Sequence, residues 1–205
     1  MTVIGQLPKA KKGSILISKH HGPGDSFLLG CTVDHWWRIL FQPSSAIWHC
    51  PAEEWLKNPT IKWLALHAHC LPIRRTAPKE GHQLIKSVLE QGGRVSIFPE
   101  SGLQVDSEVK RRPPVLLGKL IYEAKPTVIP VLIAGLPVWN GRKISQTKGL
   151  LEKIKLSCQR IFSSLGQKIT VTIGQPIDLS DLYALDASAD TYRQIAERLI
   201  ANIQS

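Results

Sequence analysis

A histidine followed five residues later by an aspartate is the first arrangement in this chain that can do chemistry. The run is Ser14-Ile-Leu-Ile-Ser-Lys-His20-His21-Gly22-Pro23-Gly24-Asp25. It reads as a short apolar strand ending at a histidine, a Gly-Pro-Gly turn, and an aspartate at the start of a helix. In open α/β sheets, ligands bind beyond the carboxyl ends of the strands. A histidine there accepts a proton near neutral pH when a partner holds its other ring nitrogen and stabilises the imidazolium. Asp25, turned back by the glycines, is placed to be that partner. His20 and Asp25 are then the base-and-orienter half of a hydrolase triad, with no protein nucleophile beside them. The nucleophile this implies is a substrate hydroxyl. The same residues also fit a plainer reading, with Asp25 as a helix N-cap and His20 or His21 as a polar loop residue.

Such a pair needs elements to position it. Apolar runs with strand character fall at residues 14–18, 46–49, 70–73, 94–98, 127–133 and 168–173. Helical spacing occupies residues 27–41, 81–90, 115–124, 150–165 and 192–203. Leu84, Ile85, Val88 and Leu89 share one face, and Pro113-Pro114 opens the third of these helices. Alternating strand and helix predict an α/β fold, a single domain over residues 1–205 with a largely parallel central sheet covered by helices. Residues 140–148 read as a polar loop.

The 205 residues are 43% hydrophobic and 20% charged, enough to bury a core and unlike a disordered chain. The net charge of +10 favours anionic partners: nucleic acid, an acidic protein or an anionic membrane surface. No apolar run approaches the ~20 residues that cross a bilayer; the longest, residues 128–139, carries Pro130 and Pro137. The first residues lack a signal-peptide core. Cys31, Cys50, Cys70 and Cys158 form no C-x-x-C pair and read as free thiols in a reducing compartment. A cytoplasmic protein, peripheral on a membrane, is expected.

Several blocks together resemble the glycerolipid acyltransferases. The first block of that family is Asn-His-x-x-x-x-Asp after a strand, matched by His20 and Asp25 with Lys19 in the asparagine position. Its Phe-Pro-Glu-Gly-Thr-Arg block is matched by Phe98-Pro99-Glu100 and continues Ser101-Gly102-Leu103. Between them, Cys70-Leu71-Pro72-Ile73-Arg74-Arg75 resembles the family's arginine-bearing strand. Val128-Ile129-Pro130-Val131 resembles its apolar strand with a central proline. Residues 53–59 and Gly174-Gln175-Pro176-Ile177 also resemble family segments, so the motif-bearing part spans about 14–177.

The resemblance implies acyl transfer from a thioester or a phospholipid to the hydroxyl of a lysophospholipid or related glycerolipid. His20 would be the general base and Asp25 its orienting carboxylate. Glu100 would hydrogen-bond the acceptor, on a turn fixed by Pro99. Arg75 with Arg74 would grip a phosphate, and Lys19 and Ser101 complete the expected substrate-binding set. No metal or organic cofactor is implied; acyl-CoA or acyl carrier protein is the co-substrate.

Leu103 stands where the family's block carries an arginine, which removes a charge suited to a phosphomonoester. In this respect residues 98–108 look more like the tafazzin subgroup of phospholipid–lysophospholipid transacylases. Five of the six tryptophans, Trp36, Trp37, Trp48, Trp55 and Trp63, crowd one stretch and suit either a membrane interface or a core. Other classes have weaker footing. For a metal-dependent hydrolase, His20-His21, His67, His69 and Asp25 are candidate ligands, and His49-Cys50 with His69-Cys70 a candidate zinc site. Cys70-Leu71-Pro72 nevertheless follows His69 where an aspartate and histidine are needed. The basic residues are scattered without a nucleic-acid motif, so no nucleic acid is expected. A non-catalytic lipid-binding protein would not need His20, Asp25 and Glu100 together.

Overall fold

The computed structural model describes residues 2–8, 13–20, 25, 29–30, 47–50, 69–71, 73, 77–99, 115–135 and 168–204. Its strands are β1 (Thr2–Ile4), β2 (Ser14–Ser18), β3 (Ile47–His49), β4 (Arg94–Ile97), β5 (Thr127–Ala134) and β6 (Thr170–Ile173). The helices among these residues are α1 (Pro78–Glu90), α2 (Val115–Ala124), α3 (Ser180–Tyr183) and α4 (Ala189–Gln204). The strands form one sheet in the order β1-β6-β5-β2-β4-β3. Neighbours run parallel except β5 and β6, which are antiparallel. An α/β fold with a largely parallel sheet is what the alternation of sequence patterns predicts.

β2 is central because its sequence can be buried on both faces. All five of its residues are buried, as a strand flanked by parallel partners and covered on each side requires. Ile15 and Ile17 join the core beneath α1, α2 and α4, with Val95, Val128, Ile121, Ile195 and Leu199. Leu16 faces the other way, into a second cluster with Leu29, Ile47, Val131, Ile133 and Val171.

The helices begin and end for local reasons. α1 starts at Pro78 rather than at Gly81, because proline suits a first turn whose N–H groups are unpaired anyway. It buries Gly81, Ile85 and Leu89, one residue per turn. It stops at Gly92, whose φ of 81° sets the left-handed cap. There the Gly92 N–H donates to Leu89 and the Gly93 N–H to Val88. α4 begins earlier than the apolar pattern indicates, because Ser188 caps it: its Oγ accepts the Thr191 N–H at 3.1 Å. Arg198 ties α4 to α3 through two bonds to Asp181, at 2.5 and 2.8 Å.

The stretch at 70–73 differs from expectation. Cys70 makes an isolated parallel bridge to His49 instead of opening a strand. Pro72 supplies no N–H for a ladder, and Ile73 packs on α1 at Gly81. β1 and α3 are additions that the sequence patterns did not predict. The expected helices at 27–41 and 150–165 and the loop at 140–148 lie outside the described residues, apart from Leu29 and Gly30, which are helical.

Candidate active site

Beyond the last residue of β2 the chain places Lys19 and then His20 at the carboxyl end of the sheet's central strand. Lys19 and His20 are both half-buried, and the Ser18 hydroxyl donates to the Lys19 carbonyl at 3.4 Å. Asp25 has helical backbone and is wholly buried. Its Oδ2 lies 3.0 Å from His20 Nδ1. A carboxylate accepts, so the imidazole hydrogen sits on Nδ1 and the lone pair on Nε2. The His20 side chain keeps 21% of its surface exposed, enough for a second molecule to reach it. Phe98, the first residue past β4, stacks on the imidazole with ring centroids 4.5 Å apart and planes 25° from parallel. The His20 ring is thus held at one nitrogen by Asp25 and across one face by Phe98.

A second, fully enclosed polar pair lies on the same side of the sheet. His49 and Ser96 are directly opposite in the β3–β4 register, and His49 Nδ1 lies 2.7 Å from Ser96 Oγ. Burial, with the neighbouring His69 imidazole adding to it, pushes His49 down to about 4. His49 is therefore neutral at physiological pH. The Cys50 thiol is pushed up to about 12 by burial and by Cys70, and burial raises Cys70 as well. Neither of these two thiols has the depressed pKa of a nucleophile. Cys31 and Cys158 lie outside the described residues.

Of the residues singled out in the sequence, the structure brings His20 and Asp25 together and sets Lys19 beside them. Pro99 is buried in the turn that follows Phe98. Arg74, Arg75, Glu100 and Ser101 lie outside the described residues, as do His21, His67 and Leu103. Among the described residues, no group of His, Cys, Asp or Glu side chains has the arrangement to hold a metal ion. Nor is any helix there long and apolar enough to cross a membrane. Sequence reasoning missed Phe98 as a partner of His20; it took His49 as a candidate zinc ligand with Cys50, His69 and Cys70, and missed Ser96, the residue His49 is bonded to. The signal for Phe98 was its place at the exit of β4, next to Pro99.

This geometry can take a proton from a hydroxyl at His20 Nε2 while Asp25 holds the resulting imidazolium. The fold matches that of the 1-acyl-sn-glycerophosphate (LPA) acyltransferase PlsC from Thermotoga maritima, with a TM-score of 0.55 and 17% identity over 99% of this chain and 70% of that one. No curated protein matches the chain in sequence. Residues 1–134, well over half of the chain, match the acyltransferase family, and the protein belongs to it.

Proposed function

We propose that the protein transfers a fatty acyl group to the hydroxyl of a lysophospholipid or related glycerolipid, with His20 as the general base. The observation that carries this reading is the 3.0 Å bond between His20 Nδ1 and the buried Asp25. A free hydroxyl is a poor nucleophile until a positioned base removes its proton. In the proposed step His20 Nε2 takes that proton as the hydroxyl oxygen attacks the acyl carbonyl carbon. The carbon–sulfur bond of the thioester then breaks, and the imidazolium returns the proton to the departing thiolate. Asp25 stabilises the imidazolium in between. The chemistry needs no cofactor beyond the acyl thioester, acyl-CoA or acyl carrier protein. Arg74 and Arg75 are proposed to bind the acceptor phosphate, with Glu100, Ser101 and Lys19 around the acceptor and Pro99 fixing the turn.

The proposed site of action is the cytoplasmic surface of an anionic membrane, with the protein bound peripherally. Charge supports this. Among the described residues basic and acidic side chains balance in number, so the whole +10 excess belongs to the other segments. The largest share falls in residues 136–167, which follow β5. β5 runs parallel to β2 and ends on the same side of the sheet as His20. Basic residues near an anionic surface each add about 1 kcal/mol of attraction. Trp48 is not part of that surface: it is half-buried and meets His69 edge-on, with centroids 5.0 Å apart.

The test is acyl transfer by the purified protein, with labelled acyl-CoA or acyl carrier protein and a panel of lysophospholipids on anionic or zwitterionic vesicles. Transfer is expected to fall by roughly 10²–10⁴-fold in His20→Ala. Transfer that survives the substitution would sink the base assignment. Transfer only from a phospholipid donor would make the protein a transacylase instead.

A further inference from the structure

His20 and Asp25 have near them a buried polar pair carried by β3 and β4. Ser96 and Phe98 stand two residues apart at the end of β4, on the same face. Phe98 stacks on His20, and Ser96 holds His49. The other side of the His49 ring faces Gly30. A Cβ added at Gly30 would lie 3.1 Å from His49 Nε2, closer than ordinary van der Waals contact. Gly30 is buried and helical like Asp25, five residues before it. Asp25 in turn holds His20.

We infer that the buried His49–Ser96 pair is a positioning device for the proposed base. It sets how closely the segment bearing Asp25 rests on the sheet, and so holds the Asp25–His20 bond in its working geometry. This rests on His20 acting as the base. An aliphatic side chain would fill the same space, but its rotamer would be set by packing alone. The 2.7 Å bond to Ser96 fixes the plane of the His49 ring, and that ring is the surface on which Gly30 sits. Any larger residue at position 30 would crowd the ring. The imidazole stays neutral there because burial and His69 oppose its protonation, so the pair adds no charge beneath the site. His20 is hydrogen-bonded to Asp25 and stacked on Phe98, and His49 and Ser96 act on it through Gly30 and Phe98.

The experiment compares His49→Leu, His49→Gln, Ser96→Ala and Gly30→Ala with the parent protein by three readouts. These are kcat and KM for acyl transfer, thermal midpoint, and the His20 Nδ1–H proton resonance in protein labelled with 15N-histidine, assigned by its loss in His20→Ala. The expected result is a fall in kcat of roughly 10–10²-fold in His49→Leu and Gly30→Ala, with KM little changed, because small displacements of a catalytic group cost that much. The His20 resonance broadens or shifts in the same variants. His49→Gln, which keeps a polar group opposite Ser96, recovers both. If His49→Leu does not fold, Gly30→Ala and Ser96→Ala carry the comparison. Folded variants with a lower thermal midpoint but unchanged kcat and unchanged His20 resonance overturn the inference, leaving His49 as core packing. A His20 resonance that responds while the parent protein transfers no acyl group would refute the proposed function and leave the positioning intact.

Discussion

Acidification from pH 7 to pH 5 is expected to cost the folded protein about 2 kcal/mol through His49 alone. In the unfolded chain this imidazole titrates at its ordinary value of 6.5, whereas in the fold it is held down to about 4 by burial first and by His69 second. As the pH falls, the unfolded state takes up the proton and the folded state refuses it. Stability is therefore present above about 6.5 and lost progressively down to about 4. The full loss over that window is about 3 kcal/mol, at about 1.4 kcal/mol for each tenfold change in proton affinity. Most of it has accrued by pH 5. That is a large part of a typical folding free energy of about 5–15 kcal/mol. The assay is urea unfolding of the parent protein and of His49→Gln at both pH values. With a denaturant slope of about 2 kcal/mol/M, the parent midpoint should move by about 1 M more than the variant's, because glutamine has no proton to bind. Midpoints that move equally, within about 0.3 M, would show that His49 is not the enclosed, neutral group the packing describes.

Asp25→Asn keeps a hydrogen-bonding group opposite His20 but removes the charge that stabilises the imidazolium and no longer fixes its tautomer. A fall in kcat of roughly 10²–10⁴-fold is expected in steady-state acyl transfer, and an unchanged kcat would argue against Asp25 as the orienter. Gly118→Ala drives a methyl group into the Tyr192 carbonyl, where α2 crosses α4. Overpacking there should lower stability by about 2 kcal/mol or more, visible as a drop of roughly 5 °C in thermal midpoint; an unmoved midpoint would contradict the packing of these two helices.

How much of this was legible in the sequence depended on how far apart the interacting residues lie. The continuous apolar runs gave β2, β4 and β5 to within a residue or so, since strands buried on both faces are written as unbroken Val, Ile and Leu. β1 was missed because it is only three residues long and exposed throughout, so it carries no burial pattern. α3 is a single turn, too short for helical periodicity to register. The run at 70–73 is as apolar as a strand, but its described part makes only an isolated bridge, Cys70 with His49, and Ile73 lies against α1. The His20–Asp25 pair was readable because it is local, two residues five apart in the sequence with Gly22 and Gly24 between them. The His49–Ser96 bond joins residues 47 apart, and no spacing rule brings them together; only the β3–β4 register does.

That contrast has a physical basis in where the base is mounted. His20 follows a strand whose every residue is enclosed and which is paired on both sides, Ile17 with Ile97 of β4 and with Pro130 of β5. The last pairing before the base, Ser18 with Val131, lies only two residues away. The backbone at His20 therefore has little freedom to drift, and what is left to specify is the rotation of the ring. Rotation is constrained by groups that reach it from two directions, Asp25 at Nδ1 and Phe98 across the face. Phe98 arrives on β4, the neighbour that pairs with β2, so its position is tied to the same register. Asp25 is buried and helical but belongs to no strand of the sheet, so no strand register fixes its place. A buried, hydrogen-bonded side chain packed against Gly30, five residues on, can supply that constraint, which is the role inferred for His49.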